Sequence, residues 1–422
     1  MTQIEIKPPK TRSGRPVVPT RPRGTQADAA ADAVGFLRRL GFAVMVALLP
    51  IAAVIMRHAV VVIAPVGAIL FSMAMLIESE GREPFRRMWQ LIRTQAAALL
   101  LFLLFWAGLS LLWTPFFDDA SERLLKATGV SLFAFVALAS MPARMRASNL
   151  YLSPLGAGVG SLSAIIWVLT VPNAQTAIDG EGPVLVRTAL SVTLLAWPGL
   201  AWLLMRSERA FAIVLAMVAV SAALMTEPRG AVLALIAGAV AFGAFVVAPR
   251  LTIQVVQWLL ALAIIAAPVL PFLVTPLARA LLGAGASALQ PWEVWRDSVL
   301  GEPTRLLTGH GLDTALRSQL AGLLATGAPQ SMLFEVWYEL GLLGAVPLAL
   351  LVALAVRRAA SLGEAIAPCL VGAIVNLFAF ACVGLVGSQT WWLTLIAVLS
   401  IAFTAVIHGR FGTRRPKAFV SR

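Results

Sequence analysis

Hydrophobic positions in this chain gather into long unbroken runs rather than alternating with polar ones. Twelve runs fall at roughly 41–56, 59–77, 96–113, 124–141, 155–171, 189–205, 211–225, 231–247, 252–274, 333–356, 365–387 and 391–408. Most are about 16 to 20 residues long, enough for a helix to cross the hydrocarbon core of a bilayer, whereas a membrane β-barrel would alternate over about ten residues. The expected fold class is an all-α integral membrane protein with about 12 transmembrane helices, the fourth being the least regular because Lys126 lies inside it. Between the ninth and tenth runs the pattern breaks over residues 275–332. Connections longer than about 12–15 residues are usually functional or disordered. Apolar residues in Leu289–Leu300 and Leu312–Leu324 recur at three- and four-residue spacings, with Trp292 and Trp295 in the first, which predicts short interfacial helices rather than disorder.

Composition agrees: hydrophobic residues make up 59% of the 422, charged residues 13%, and the mean hydropathy is +0.87. A soluble core could not hide that much apolar surface. The net charge of +13 at first points to nucleic acid, but its distribution gives it another meaning. Threading the twelve runs with the amino terminus inside puts 24 of the 33 Lys and Arg on the cytoplasmic side, with 8 of the 20 acids. That is the positive-inside pattern, with contact to anionic membrane lipids as its second use, and no nucleic acid is required. Residues 1–40 carry eight Lys or Arg against three acids, with no apolar segment and cleavage site behind them, so they read as a disordered basic cytoplasmic arm. Residues 41–408 form the transmembrane domain, with 275–332 as its long periplasmic loop, and 409–422 a basic cytoplasmic tail. The expected location is a bacterial inner membrane, crossed many times, with both termini cytoplasmic. Cys369 and Cys382 share one run and read as packing residues.

Candidate chemistry collects on the outer side of this threading. In the turn Thr226-Glu227-Pro228-Arg229-Gly230, Arg229 is either a rigid phosphate contact or an interfacial anchor paired with Glu227. The long loop adds Arg279, Arg296, Arg305 and Arg317, each a solvated loop charge or a member of an anion-binding cluster. His310, between Gly309 and Gly311, has the chemistry of a general base, with glycines that would let a substrate approach; a hydrogen-bonded loop histidine is the other reading. Glu335 and Glu339 share one helical face, where they either pair with loop arginines or supply a base. Asp118 and Asp119 form an acidic pair of the kind that binds metal or an ordinary solvated loop. No other cluster has metal-ligand spacing, so the expected chemistry uses neither metal nor cofactor.

Several of these stretches together resemble the bacterial O-antigen ligase and Wzy-type polymerase superfamily. They are Pro228-Arg229-Gly230-Ala231 in a short outer turn, Leu307-Thr308-Gly309-His310-Gly311-Leu312 in one large loop, and the run from Glu335 through Trp337-Tyr338-Glu339-Leu340-Gly341 to Gly344 at its exit. The clear match covers residues 304–344 and the Arg229 turn; elsewhere only the topology agrees. The resemblance implies transfer or polymerisation of an undecaprenyl-diphosphate-linked glycan onto a sugar hydroxyl, on lipid A-core or another repeat unit, in lipopolysaccharide and surface polysaccharide assembly. It implies Arg229 as a diphosphate contact. Where the family commonly has His-Asn this chain has Gln330 and Ser331, and where it commonly has an arginine this chain has Pro291. The resemblance therefore shifts the base to His310 or Glu335 and the phosphate clamp to Arg296 or Arg305, or else implies a protein that binds the lipid-linked glycan without transferring it. A transporter is the remaining class: Pro198, Pro268 and Pro271 interrupt spans, but no charge sits near a span centre.

Overall fold

The computed structural model describes residues 25–56, 59–78, 83–142, 144–172, 178–179, 182–226, 229–283, 286–383 and 390–409. Regular structure among them is helical apart from a two-residue antiparallel ladder that pairs Ile178 with Pro183 and Asp179 with Gly182. In chain order the helices are α1 (Thr25–Ala43), α2 (Leu49–Ile55), α3 (Ala59–Glu78), α4 (Glu83–Ile92), α5 (Gln95–Ser110), α6 (Phe117–Ala139) and α7 (Ala147–Leu150). They continue as α8 (Leu152–Thr170), α9 (Val184–Met205), α10 (Arg209–Met225), α11 (Arg229–Val247), α12 (Pro249–Ile265) and α13 (Leu270–Leu282). Three short helices follow, α14 (Gln290–Gly301), α15 (Arg305–Thr308) and α16 (Thr314–Leu320), and then α17 (Met332–Ala359), α18 (Ile366–Val383) and α19 (Thr390–His408). Eight helical stretches are long and apolar enough to cross a membrane, or ten if the bent pairs α4–α5 and α12–α13 are each one span. The chain is a multi-pass membrane protein.

Helix α1 begins at Thr25, inside the stretch read as a disordered arm, because Thr25-Gln-Ala-Asp-Ala-Ala-Ala-Asp-Ala is rich in the best helix former. Its Arg38 is paired with Glu78 at the end of α3. Residues 1–24 and 410–422, with the basic tail, lie outside the described residues. A π-helical turn over Val44–Leu48 carries α1 into α2, whose Pro50 cannot donate to the ladder and would collide with the preceding turn of a regular helix.

The centre is α9. In the span Leu185–Met205 an 18-residue window is 83% buried, against 28% for Gly230–Val247 of α11, which therefore lies at the periphery. Small residues set how closely neighbours approach. A Cβ on Gly156 of α8 would come within 2.2 Å of the Val46 carbonyl oxygen, and one on Gly160 within 2.9 Å of Pro50, so this four-residue spacing lets α8 seat directly on the π turn and α2. Cys369 and Cys382 are both free thiols on α18.

Two breaks prepare the functional region. Helix α12 stops at Ile265 where Pro268 removes a donor, and the chain turns by 63° into α13. The indole Nε1 of Trp337 donates to the freed Ile264 carbonyl at 2.7 Å. The second break is inside α17, where Gly341 sits at φ 63°, ψ −158° and divides the helix into 332–340 and 342–359. That backbone region is essentially restricted to glycine.

Candidate functional site

The break at Gly341 strips the preceding carbonyls of their helical partners, and three of them are recovered from other elements. Tyr338 O accepts from the His310 amide at 2.8 Å, Glu339 O from the Gly311 amide at 3.0 Å, and Leu340 O from Trp106 Nε1 at 2.9 Å. Buried carbonyls left unsatisfied would each cost several kcal/mol, roughly, so the Gly309–Gly311 loop acts as a cap on a broken helix. The approach is close enough to demand glycine on both sides. A Cβ on Gly309 (φ 74°) would lie 2.2 Å from Glu339 O, and one on Gly341 would lie 2.7 Å from Gly309 N. Gly311 (φ 107°) faces the backbone of Thr114 in the same way. The room that the glycines give is thus taken by protein backbone and not by substrate. Leu312 is held from the other side, its amide donating to Ser110 Oγ at 3.1 Å and its carbonyl accepting from Thr114 Oγ1 at 3.0 Å.

One face of residues 332–340 borders a pocket. Trp295, Ser298, Glu302, Arg305, His310 and Tyr338 are among its lining residues, and its cavity volume is about 20 Å³, room for a water rather than for a sugar, so it is the floor of an open cleft. A continuous aromatic series leads into it. Trp292 stacks on Trp295 at 6.0 Å, Trp295 meets Phe334 edge-on at 5.6 Å, Phe334 stacks on Tyr338 at 5.2 Å, and Tyr338 on His310 at 4.1 Å. The His310 ring is fixed by more than stacking. Its Nδ1 is 3.0 Å from Tyr338 O, and since a carbonyl only accepts, Nδ1 carries the hydrogen. The Nε2 lone pair is left on the side of Glu302, whose Oε2 is 3.6 Å away. Burial pushes the His310 pKa below its ordinary value; the Tyr338 hydrogen bond and Glu302 oppose that, and Arg305 adds to it. A neutral imidazole with Nε2 available is what a general base requires.

The opposite face of the same half-helix is closed. Glu339 accepts from Arg123 Nη1 at 2.9 and 3.0 Å, and the same nitrogen reaches Asp313 Oδ1 at 3.1 Å. Arg317 joins the other Asp313 oxygen to Asp119, with contacts of 3.3 and 2.8 Å. Asp313 holds left-handed backbone (φ 64°), a conformation Asp tolerates better than most, at the start of α16. Alternating charges thereby tie the first turns of α6 to α16 and α17. Glu335, one turn before Glu339, is also buried, and its Oε2 has no hydrogen-bond partner among the described residues.

The candidate residues read from the sequence divide accordingly. His310 and Arg305 share the pocket, with Arg305 Nε 3.5 Å from Glu302. Glu335 is on the Arg123 side and does not line it. Arg296 pairs with its neighbour Asp297 at 2.9 Å and is also outside the lining. Ser331 is the N-cap of α17, its Oγ accepting from the Leu333 amide at 3.3 Å, while Gln330 is exposed. Asp119 is an ion-pair partner of Arg317. Arg229 opens α11, but its side chain, like Glu227 and Pro228, lies outside the described residues. The pairing foreseen for the glutamates is made for Glu339 by Arg123 of α6 and not by a loop arginine, while the Glu335 Oε2 has no hydrogen-bond partner among the described residues. Glu302 and Arg123 were not legible as site residues: one is an ordinary loop acid, and the other precedes an apolar run that already contains Lys126. No protein-family model, curated protein or solved structure matches the chain.

Proposed function

We propose that this protein transfers or polymerises a polyprenyl-diphosphate-linked glycan onto a sugar hydroxyl at the periplasmic face of the inner membrane, without a metal or other cofactor. The observation that carries the reading is the fixed His310 ring, neutral and with Nε2 turned toward Glu302 and Arg305 at the end of an aromatic series. The acceptor hydroxyl would lose its proton to His310 Nε2 as its oxygen attacks the anomeric carbon. The bond to the diphosphate breaks with its electron pair leaving on the phosphate oxygen, where Arg305 offers positive charge. A diphosphate departs without a strong acid, so holding its charge and activating the acceptor are the main tasks. Aromatic rings suit the apolar faces of sugars and the prenyl chain. Arg229 is proposed as a further diphosphate contact on the resemblance of its turn alone.

The topology that goes with this reading has twelve crossings and both termini on the cytoplasmic side. The eight long helices, the two bent pairs, the shorter α10 and the charge-headed α6 together supply the twelve, and α14–α16 would then form the periplasmic loop. The positive-inside distribution supports this orientation.

A second reading has its own support: the His310 and Gly311 amides cap the broken helix, a structural role for the loop that needs no catalysis and leaves a protein that binds a lipid-linked glycan and presents it to others. Transfer by purified protein in lipid, with donor extracted from the source membranes, separates the two. His310→Asn keeps a side-chain N–H to offer Tyr338 O and removes the base, so transfer should fall at least about 100-fold with donor binding retained. Arg305→Ala should weaken donor binding. Full transfer by His310→Asn would eliminate the base, and binding without turnover by the wild type would favour presentation.

A further inference from the structure

A second cavity opens between α5, α12 and α17, well apart in sequence from the His310 region. Gln95 and Leu99 of α5, Gln257 of α12, and Leu350, Leu354 and Arg357 of α17 contribute to its lining, and its cavity volume is about 430 Å³. Its polarity is graded. Gln95 and Arg357 stand at helix ends, Leu99 and Leu354 about one turn further in, and Leu350 about a turn beyond. Arg357 is exposed and has no acidic partner among the described residues. A buried anchor would have one, and a cation over an apolar slot suits an amphiphile with an anionic head.

The depth of this cavity follows from α4. Phe85, Met88, Trp89, Leu91 and Ile92 occupy one arc of that helix, and Arg86, Arg87 and Gln90 the other; Arg93, just past its end, lies over the Trp89 ring at 5.1 Å. Phe85 and Trp89 are exposed, and α4 meets α5 at 76°. A basic amphipathic helix at that angle lies in the plane of the membrane interface. It ends three residues before Gln95, which brings Gln95 and Arg357 to headgroup level.

We infer that the groove between α5, α12 and α17 binds one anionic phospholipid, its phosphate on Arg357 and Gln95, its ester oxygens within reach of Gln257, and its acyl chains along Leu99, Leu350 and Leu354. In the proposed topology this is the cytoplasmic leaflet, where α4 adds Arg86, Arg87 and Arg93 to the same basic surface. The inference rests on the multi-pass fold and not on glycan transfer.

The test is native mass spectrometry of the full chain, delipidated and then equilibrated with mixed micelles of phosphatidylglycerol and phosphatidylcholine. Wild type should retain one phosphatidylglycerol in preference to phosphatidylcholine. Arg357→Gln should lower that retention about tenfold, the scale of one charge-assisted phosphate contact, and Arg357→Lys should recover part of it. Leu354→Trp, which fills the slot and keeps the charge, should also expel the lipid, and Arg358→Gln should change nothing. Equal retention of both lipids by the wild type, or undiminished phosphatidylglycerol in both Arg357→Gln and Leu354→Trp, would overturn the inference. Thermal melting of each variant identifies any that fail to fold, and the remaining variants then decide.

Discussion

The two faces of residues 332–340 share one backbone and have opposite designs. On one face Phe334 and Tyr338 border an open pocket with His310, Glu302 and Arg305. On the other, Glu339 is only 4% exposed and gripped by Arg123, which also holds Asp313. Charged groups occur on both, so charge alone does not mark a site. What separates them is satisfaction: the buried carboxylates of the Arg123 face are mostly used up by partners, while the Nε2 lone pair of His310 is not. Substitutions should therefore cost stability on one face and activity on the other.

The largest effect is expected at Arg123. Arg123→Met strands Glu339 as a buried, uncompensated acid and leaves Asp313 with Arg317 alone, which should cost about 3–5 kcal/mol. Adding Glu339→Leu removes the stranded charge and should restore part of the loss. Reversible unfolding in mixed micelles measures both, and a neutral Arg123→Met would show that the network is not structural.

Next comes Gly341→Ala. The new Cβ would require a backbone region avoided by L-residues and would meet Gly309 N and the Leu307 carbonyl at 2.7 Å. Strain and collision together should cost about 2–4 kcal/mol. Because the His310 loop caps this break, the pocket should open as well. Faster hydrogen exchange at the His310 and Gly311 amides would report it, whereas exchange at wild-type rates would mean that the cap does not depend on the crossing.

A smaller loss is expected at the start of the same helix. Ser331→Ala removes the side-chain acceptor of the Leu333 amide and should cost about 1 kcal/mol, while Gln330→Ala, one residue away and exposed, should stay within about 0.5 kcal/mol. Equal costs at the two positions would remove the cap assignment.

Much of this architecture is readable in the sequence. Among the described residues the twelve apolar runs lie largely on helix, with eight to ten candidate spans where twelve were expected, and Leu289–Leu300, with its two tryptophans, corresponds to α14. What escapes a sequence is what a residue faces. Gly309 and Gly311 announce crowding but not its source, which is the backbone of Glu339 in one case and of Thr114 in the other. Gly341 is hidden because hydrophobic residues continue past it, so the run looks like one helix. Arg123 finds its partners 190 and 216 residues away, a distance no local pattern spans.

The least disruptive change tests the open face most directly. Glu302 is 60% exposed, so Glu302→Gln should alter stability by no more than about 0.5 kcal/mol. Its effect should appear in the titration of His310. Burial disfavours the imidazolium, so the ring is neutral at neutral pH and takes its proton only below the ordinary histidine range. Glu302 favours the imidazolium, and removing its charge should lower the His310 pKa further. Arg305 disfavours it, and Arg305→Ala should raise the pKa. Diethyl pyrocarbonate attacks only neutral imidazole, so its rate at the His310 peptide, followed by mass spectrometry across pH, reports this titration without any glycan substrate. The acid limb should move to lower pH in Glu302→Gln and to higher pH in Arg305→Ala. If neither variant moves it, His310 does not sense the pocket charges, and the contrast between the two faces of α17 loses its chemical half.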